Sequence, residues 1–208
     1  GFTFEDESRN LSLSIFYMHR DNPQVRLSYQ LVPADPTSFD FYTVNANSGY
    51  SYGVESQLKL AIFKGLYFYD NFSILKSYIS EYQFLGNTIG DREPAHAPEL
   101  MSSAGLEYSL NSGLYFKLDH NYLSSFYFED QFDIKSEPSQ IINSTVGLKR
   151  NGIHVSVWLK NMLDKKYVTR GYYFALEPTP NEPPYFFYKS YKSFSDPFHM
   201  GINLNYSF

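Results

Sequence analysis

Apolar and polar residues alternate along much of the chain. The alternation is clear at 11–15, 58–62, 114–118, 153–159 and 200–206, where every second residue is Leu, Ile, Val, Phe, Met or Tyr. A two-residue period predicts β-strands with one apolar and one polar face. We find no segment with the i, i+3, i+4 spacing of an amphipathic helix. The pattern therefore predicts an all-β fold.

The alternating segments predict about nine strands, the first of them a stub. They lie at 1–5, 10–32, 39–62, 66–81, 97–110, 114–127, 140–150, 153–166 and 198–208. Pro23 interrupts the second strand, because proline has no amide hydrogen to donate to a sheet ladder. It marks either a bulge or an extra hairpin that would change the strand count, and the sequence leaves both open.

The lengths of the connections indicate what kind of sheet this is. Short turns containing glycine lie at 63–65, 111–113 and 150–152, and long connections rich in proline and charge lie at 83–95, 128–138 and 168–196. Short and long connections thus alternate, which is typical of an outer-membrane barrel with tight periplasmic turns and long extracellular loops. The pattern predicts an antiparallel transmembrane β-barrel in which neighbouring strands follow one another in sequence.

One residue breaks the expected division between the two faces. Strict alternation from Leu66 and Phe68 turns Asp70 toward lipid, where a carboxylate is unfavourable. We expect a β-bulge there that returns the side chain to the polar face.

Composition supports the barrel and removes other classes of protein. The 208 residues include 20 Tyr and 19 Phe, as expected where aromatic rings line both membrane interfaces. No stretch approaches the ~18 consecutive apolar residues of a membrane-spanning helix. The chain has no cysteine, which excludes disulfides, and its formal net charge of −5 argues against nucleic acid as a partner.

Four motifs follow one another along the chain. They are Val44-Asn45-Ala46 with Tyr52-Gly53-Val54-Glu55, then Ala97-Pro98 with Ala104-Gly105-Leu106-Glu107-Tyr108, then Asn161-Met162-Leu163-Asp164-Lys165-Lys166-Tyr167, and finally Gly201 to Phe208. In order and spacing they resemble the C-terminal part of the β-barrel of TonB-dependent receptors. Met162 stands where this family usually has Leu.

The resemblance implies a larger architecture than the chain itself contains. Residues 1–208 would form one partial barrel domain, the C-terminal strands of a barrel of roughly 22 strands, without the plug domain. The whole protein would lie in the bacterial outer membrane and take up a scarce nutrient with energy delivered through TonB. A ferric siderophore, cobalamin, haem and an oligosaccharide remain open as ligands. TonB would act only through a missing N-terminal region, and no cofactor is expected.

The same resemblance assigns a role in assembly to the C-terminus. Leu204, Tyr206 and Phe208 resemble the terminal signal that the barrel-insertion machinery recognises. Packing against the neighbouring strand and against outer-membrane lipid is an alternative role for the same side chains.

The sequence offers little support for catalysis or metal binding. The five histidines are not spaced as metal ligands with each other or with carboxylates, and the H-E-x-x-H and nucleophile-elbow motifs are absent. We predict no catalytic and no metal-binding residues. A small independent barrel acting as a pore or structural protein is the alternative, and an outer-membrane hydrolase is less favoured.

Candidate ligand contacts concentrate in the last long connection. Arg170, Tyr172, Tyr173, Tyr185 and Phe187 place a cation and several rings on the expected extracellular side. Such groups can stack on a sugar or an aromatic chelator. The simpler interpretation, which the sequence favours, is an aromatic girdle that continues into a folded loop.

Overall fold

The computed structural model describes residues 1–35, 37–178 and 186–207, and these form an antiparallel sheet of nine strands with three smaller hairpins. The nine strands are β1 (Phe2–Glu5), β2 (Arg9–Asp21), β5 (Ser48–Phe63), β6 (Leu66–Ile79), β9 (Leu100–Ser109), β10 (Leu114–Leu123), β11 (Ser139–Arg150), β12 (Ile153–Lys160) and β15 (His199–Tyr206). Each strand pairs with the next one of this series along the chain. The prediction of about nine barrel strands is confirmed.

The remaining strands form hairpins inside the long connections. They are β3 (Gln24–Gln30) with β4 (Phe39–Asn45), β7 (Tyr82–Phe84) with β8 (Asn87–Ile89), and β13 (Val168–Pro178) with β14 (Phe186–Phe194). These hairpins and the connection 124–138 all lie at one end of the sheet, which we call the long-loop end. At the opposite end the connections are 6–8, 64–65, 110–113 and 151–152, as the alternation of short and long connections predicted.

Four parts of the predicted strand pattern are wrong, and one of them is the predicted connection 83–95, which contains β8 and part of β7. The segments 10–32 and 39–62 are each two strands, because β2 ends at Asp21 and Asn22 turns with a φ of 50°. Pro23 then accepts a hydrogen bond from Ala46 at its carbonyl (2.9 Å) and begins a separate hairpin. The connection 168–196, predicted to be irregular, contains the β13–β14 hairpin, whose side-chain alternation is disturbed by register shifts near both ends.

The register separates the two faces of the nine-stranded sheet. One face carries Leu, Ile, Val and Phe in paired rows, and its side chains are largely exposed, for example Ile15 at 72% and Ile202 at 73%. The opposite face carries mostly Ser, Asn, Gln, Lys and Glu, including Glu55, with scattered aromatic rings and glycines. Exposed apolar side chains on one whole face are what lipid requires, so we call this the lipid-facing side.

Asp70 lies on the lipid-facing side, and the expected bulge is absent. Its backbone pairs regularly with Leu58 on one side and Ala104 on the other. The register shift between β5 and β6 lies instead between Ala61 and Phe63, next to the turn. The alternation read from the sequence was therefore correct for Asp70, and the proposed correction was wrong.

The buried hydrophobic residues of the described chain lie outside the nine-stranded sheet. Val25, Leu27, Ala46, Tyr82 and Phe84 form a compact apolar cluster between the β3–β4 and β7–β8 hairpins. Hairpins at the long-loop end thus pack on one another as a small water-soluble domain does. Among the described residues, none belongs to a helix long and apolar enough to cross a membrane.

Candidate ligand-binding site at the long-loop end

Two hairpins are joined at the long-loop end through one buried amide. Gln30, at the end of β3 and 5% exposed, donates from Nε2 to the carbonyl of Ala175 on β13 (2.8 Å). Its Oε1 accepts the Ala175 amide hydrogen (2.9 Å), so both bonds join the same backbone residue. The amide of Ala34 adds a second donor to the Ala175 carbonyl (2.9 Å). These bonds fix the β3–β4 hairpin against the β13–β14 hairpin.

A buried guanidinium organises the connection 124–138. Arg92 donates from Nη1 to the carbonyl of Phe132 (3.0 Å) and from Nη2 to the carbonyl of Glu129 (2.7 Å). The same side chain forms an ion pair with Asp133 and lies over the ring of Tyr127, 4.1 Å from the ring centroid. Because two backbone carbonyls accept from a single rigid cation, this connection has a defined shape although it contains no regular strand.

Further hydrogen bonds connect this segment to its neighbours. Asp130 accepts from the amide of Ala95 (2.7 Å), and Gln131 donates from its side chain to the carbonyl of Ser28 on β3 (2.7 Å). The ring of Phe128 packs so closely on Gly171 of β13 that a Cβ there would lie 2.3 Å from it. The connection 124–138 therefore lies between the two hairpins and contacts both.

These elements enclose a cleft of about 730 Å³. Six aromatic side chains and four charged or titratable ones contribute to its walls: Phe39, Phe41, Phe128, Tyr172, Tyr173 and Phe174, with Arg26, His96, Glu129 and Asp130. The size and the largely aromatic lining with a few polar groups are typical of small-molecule sites. The rings are ordered by contacts with one another, since Phe39 meets Phe174 edge-on at 5.8 Å and Phe174 stacks on Tyr191 at 4.4 Å.

The charged groups of the cleft are not equivalent. Burial raises the pKa of Glu129 to about 6, and the neighbouring Asp130 charge adds to that rise, although the backbone amide of Tyr173 opposes it. Arg26 lies over the ring of Phe41, 4.9 Å from the centroid. No ion pair with Glu129 occurs in the described part of the chain. The cleft thus holds a carboxyl that changes protonation near neutral pH.

The structure brings together only some of the residues that the sequence suggested. Tyr172 and Tyr173 both line the cleft. Arg170 is exposed on β13 and does not line this cleft. Tyr185 lies outside the described residues, and so does the side chain of Phe187, whose backbone belongs to β14.

Most of the cleft was not found from the sequence. Arg26, Phe39 and Phe41 come from a hairpin that the sequence predicted as parts of two long strands. Glu129 belongs to the long connection predicted at 128–138, for which the sequence suggested no ligand contact. A local signal for the hairpin existed in Pro33 and Pro36 between two alternating segments. Nothing in the local sequence indicates that the segments around residues 26, 40, 128 and 173 lie close together in the fold.

The motif that begins at Asn161 lies where the two ends of the final connection meet. Asn161 is 4% exposed, and its side chain donates to the carbonyls of Lys165 and Asp196 (both 3.0 Å) and accepts from the amide of Lys165 (3.1 Å). Asp164 accepts from the amide of Phe198 (2.7 Å). The motif therefore joins the two ends of the final connection directly above β12 and β15.

The structure describes two of the three C-terminal residues that the resemblance assigned to an assembly signal. Leu204 and Tyr206 point to the lipid-facing side of β15, in register with Val155 and Ile153 of β12. Phe208 lies outside the described residues.

Comparison with known proteins assigns the chain to a family. A family model described as TonB dependent receptor-like, beta-barrel, matches residues 1–162. The ferric yersiniabactin uptake receptor FyuA from Yersinia pestis is similar in structure, with a TM-score of 0.71, 19% identity, and coverage of 99% of this chain and 28% of that one. The siderophore receptor PiuA from Acinetobacter baumannii (TM-score 0.68, 16% identity) is covered over 26% of its length, with 98% of this chain.

The copper transporter OprC gives a TM-score of 0.71 at 10% identity, with 99% of this chain and 30% of that chain covered. This chain therefore spans less than a third of the length of these three receptors. At such identities the similarity of structure establishes the fold, and the family match rests on the sequence. The chain belongs to the TonB-dependent receptor β-barrel family, whose members are transport receptors of the bacterial outer membrane and not enzymes.

Proposed function

We propose that this domain belongs to an outer-membrane receptor for energy-coupled uptake of a scarce nutrient, and that the 730 Å³ cleft contributes to ligand binding. The observation that carries the proposal is the cleft itself, an aromatic site assembled from four separate connections at the end of a receptor barrel. Residues 1–208 would supply a partial barrel, with the plug domain elsewhere in the protein.

A ferric siderophore is the ligand class we favour, with haem second. Both present planar rings or chelating groups that stack on the faces of Tyr172, Tyr173 and Phe39. Arg26 stands at the same wall as a cation for an anionic ligand group, while Glu129 would accept a hydrogen bond when ionised and donate one when protonated. The similar structures include a ferric yersiniabactin uptake receptor and a siderophore receptor, which supports the same class.

The other partners follow from the family. TonB would act on this domain only through the N-terminal region of the receptor, and the barrel-insertion machinery would recognise Leu204, Tyr206 and Phe208. The polar face of the sheet would contact the plug. On that face a second cleft of about 600 Å³ is lined by Glu55, Gln57, Asn71 and Asn121.

The test uses the full-length receptor in outer-membrane vesicles with a panel of ferric siderophores and haem. Replacing Tyr172 and Tyr173 together by alanine should weaken binding of the recognised compound by about tenfold or more, because two stacking surfaces are lost. The matched control is Tyr17→Ala, since Tyr17 lies exposed on the lipid-facing side of β2. Equal affinity of both variants and the parent would refute the assignment of the cleft.

A further inference from the structure

The final connection joins two short strands of the barrel wall. β12 and β15 have eight residues each, whereas β5 has 16 and β6 has 14. Crossing a bilayer takes ~9–11 residues of a strand. The residues just beyond the two short strands, Asn161 to Leu163 and Phe198, therefore lie at the level of the outer membrane boundary.

Two side chains of this connection, Phe194 and Lys166, lie on its outward side. Tyr167 lines the cleft on the polar face of the sheet, and its carbonyl accepts from the amide of Ser195 (2.9 Å). The next pair along the two segments, Val168 with Phe194, points the opposite way because side chains alternate. The ammonium of Lys166 lies over the ring of Phe194, 4.0 Å from its centroid. Both groups therefore continue the lipid-facing side.

Exposed apolar side chains are concentrated in the same part of the chain. Four of them belong to the turn 161–167 and the segment 194–198: Met162, Leu163, Phe194 and Phe198. Asn161 donates to the carbonyl of Asp196 (3.0 Å), which holds the turn and the segment together. Next along the chain, Met200 is 67% exposed on the lipid-facing side of β15. Apolar groups at this level are stabilised by the acyl boundary of a membrane.

The same segments are rich in cations, although the chain as a whole has a formal net charge of −5. Four Lys or Arg residues lie between 160 and 171, against Asp164 in that stretch and Asp196 in the facing segment. Lys165 and Lys166 are exposed, and neither forms an ion pair with a described residue. Two unpaired ammonium groups beside exposed apolar side chains complement a lipid that carries a negative headgroup.

We propose that the turn 161–167, with Phe194 and Phe198, is a binding site for an anionic lipid of the outer leaflet. The phosphate of the headgroup contacts Lys165 and Lys166, and the acyl chains lie against the exposed apolar side chains and Met200. The lysines decide which lipid binds, because an apolar surface alone accepts acyl chains of any lipid. This site shares no lining residue with the aromatic cleft.

The test places a fluorophore at the site, since this chain has no cysteine of its own. The full-length receptor with Leu163→Cys is labelled and reconstituted in phosphatidylcholine vesicles that contain a minor fraction of phosphatidylglycerol. Quenching bromines are placed on the acyl chains of the phosphatidylglycerol in one sample, and on an equal amount of the phosphatidylcholine in another. We expect phosphatidylglycerol to be about tenfold enriched near the label, because two lysines attract its headgroup. The parent receptor reports any background from cysteines elsewhere in it.

Lys165→Gln combined with Lys166→Gln should remove this enrichment and leave quenching by phosphatidylcholine unchanged, because the apolar contact remains. Lys160→Gln is the matched control at a similar height on the polar face of β12, and it should keep the enrichment. Equal quenching by the two lipids, or an enrichment that persists without both lysines, overturns the proposal. An equal loss in Lys160→Gln does so too, since it indicates a general effect of charge. Absence of quenching by either lipid places the turn outside the membrane and also refutes the site.

Discussion

At the scale of single residues, the polar face is ordered by pairs of one aromatic ring and one glycine. Four such pairs lie directly opposite each other on neighbouring strands: Phe16 with Gly53, Tyr69 with Gly105, Tyr115 with Gly147, and Trp158 with Gly201. In each pair a Cβ on the glycine would come within 2.8 Å of the ring. The rings thus cover the glycine backbone and fix the register between the strands.

Gly147→Ala should destabilise the barrel by about 1–3 kcal/mol, because the new methyl group overlaps the ring of Tyr115. Unfolding in urea from lipid vesicles measures the change. In a Tyr115→Ala background the same substitution should cost far less, since the space is then free. An equal cost in both backgrounds would show that the loss arises from the backbone and not from the ring.

The sequence predicted these contacts between rings and glycines only in part. Gly53, Gly105 and Gly201 each stand in one of the four motifs, whereas Gly147 does not. Nothing local to any of the four shows that a ring lies against it. Their role depends on which residue of the next strand lies opposite, and register is a non-local property that periodicity does not specify.

At the scale of strands and connections, the membrane-spanning part was predictable and the hairpins were not. Alternation over many residues defined β9, β10, β11 and β15 to within a few residues, because lipid on one side imposes it. It also placed the start of β12, although that strand ends at Lys160 and not at 166 as predicted. The β13–β14 hairpin has no such constraint, and aromatic residues occur on both of its faces. Pro23 predicted a break in the strand. Only the pairing of β3 with β4 shows that a hairpin begins at this break.

The final connection provides a test at this scale, because its two ends meet at Asn161. Asn161→Gly keeps the left-handed backbone conformation, which has a φ of 49°, and removes the three side-chain hydrogen bonds. We expect a loss of about 2 kcal/mol, because two part-buried carbonyls and an amide lose their partner. Asn205→Gly, at an exposed polar-face position of β15, is the control. Thermal unfolding in detergent measures the stability of both variants. An equal loss of stability in the two would contradict a special role for Asn161.

At the scale of the whole molecule, the barrel wall and the long-loop end are stabilised by different means. The wall buries little of its own apolar surface, and lipid takes the place of a core. The hairpins instead have a buried cluster and specific hydrogen bonds. Changes at the long-loop end are therefore expected to alter ligand access and loop protection without unfolding the wall.

Gln30→Glu tests whether the two hairpins act together. The carboxylate cannot donate to the Ala175 carbonyl, and it places a buried charge beside it. We expect faster hydrogen exchange in both β3–β4 and β13, with no change in β9 to β12. Gln83→Glu serves as control, because Gln83 is an exposed position of β7. Faster exchange confined to β3 would show that the hairpins open independently.

The connection 124–138 should also respond to pH, through the side chain of Glu129. Its pKa in the folded protein is raised from 4.5 to about 6, so the folded state favours the protonated form. The stabilisation that protonation brings is complete below pH 4.5 and is lost as the pH rises through about 6. Protection of the connection 124–138 from hydrogen exchange, corrected for the intrinsic rate, should therefore fall between pH 5 and pH 7.5.

Glu129→Gln should abolish that fall, because the neutral amide keeps the size of the protonated side chain and cannot ionise. Glu137→Gln is the matched control in the same connection, since Glu137 is exposed. It should retain the pH dependence of the parent protein. If the Glu129→Gln protein still loses protection over this pH range, another group controls the pH dependence of the connection 124–138. If ligand affinity follows the same curve as protection, the carboxyl that orders the connection also controls the cleft that it lines.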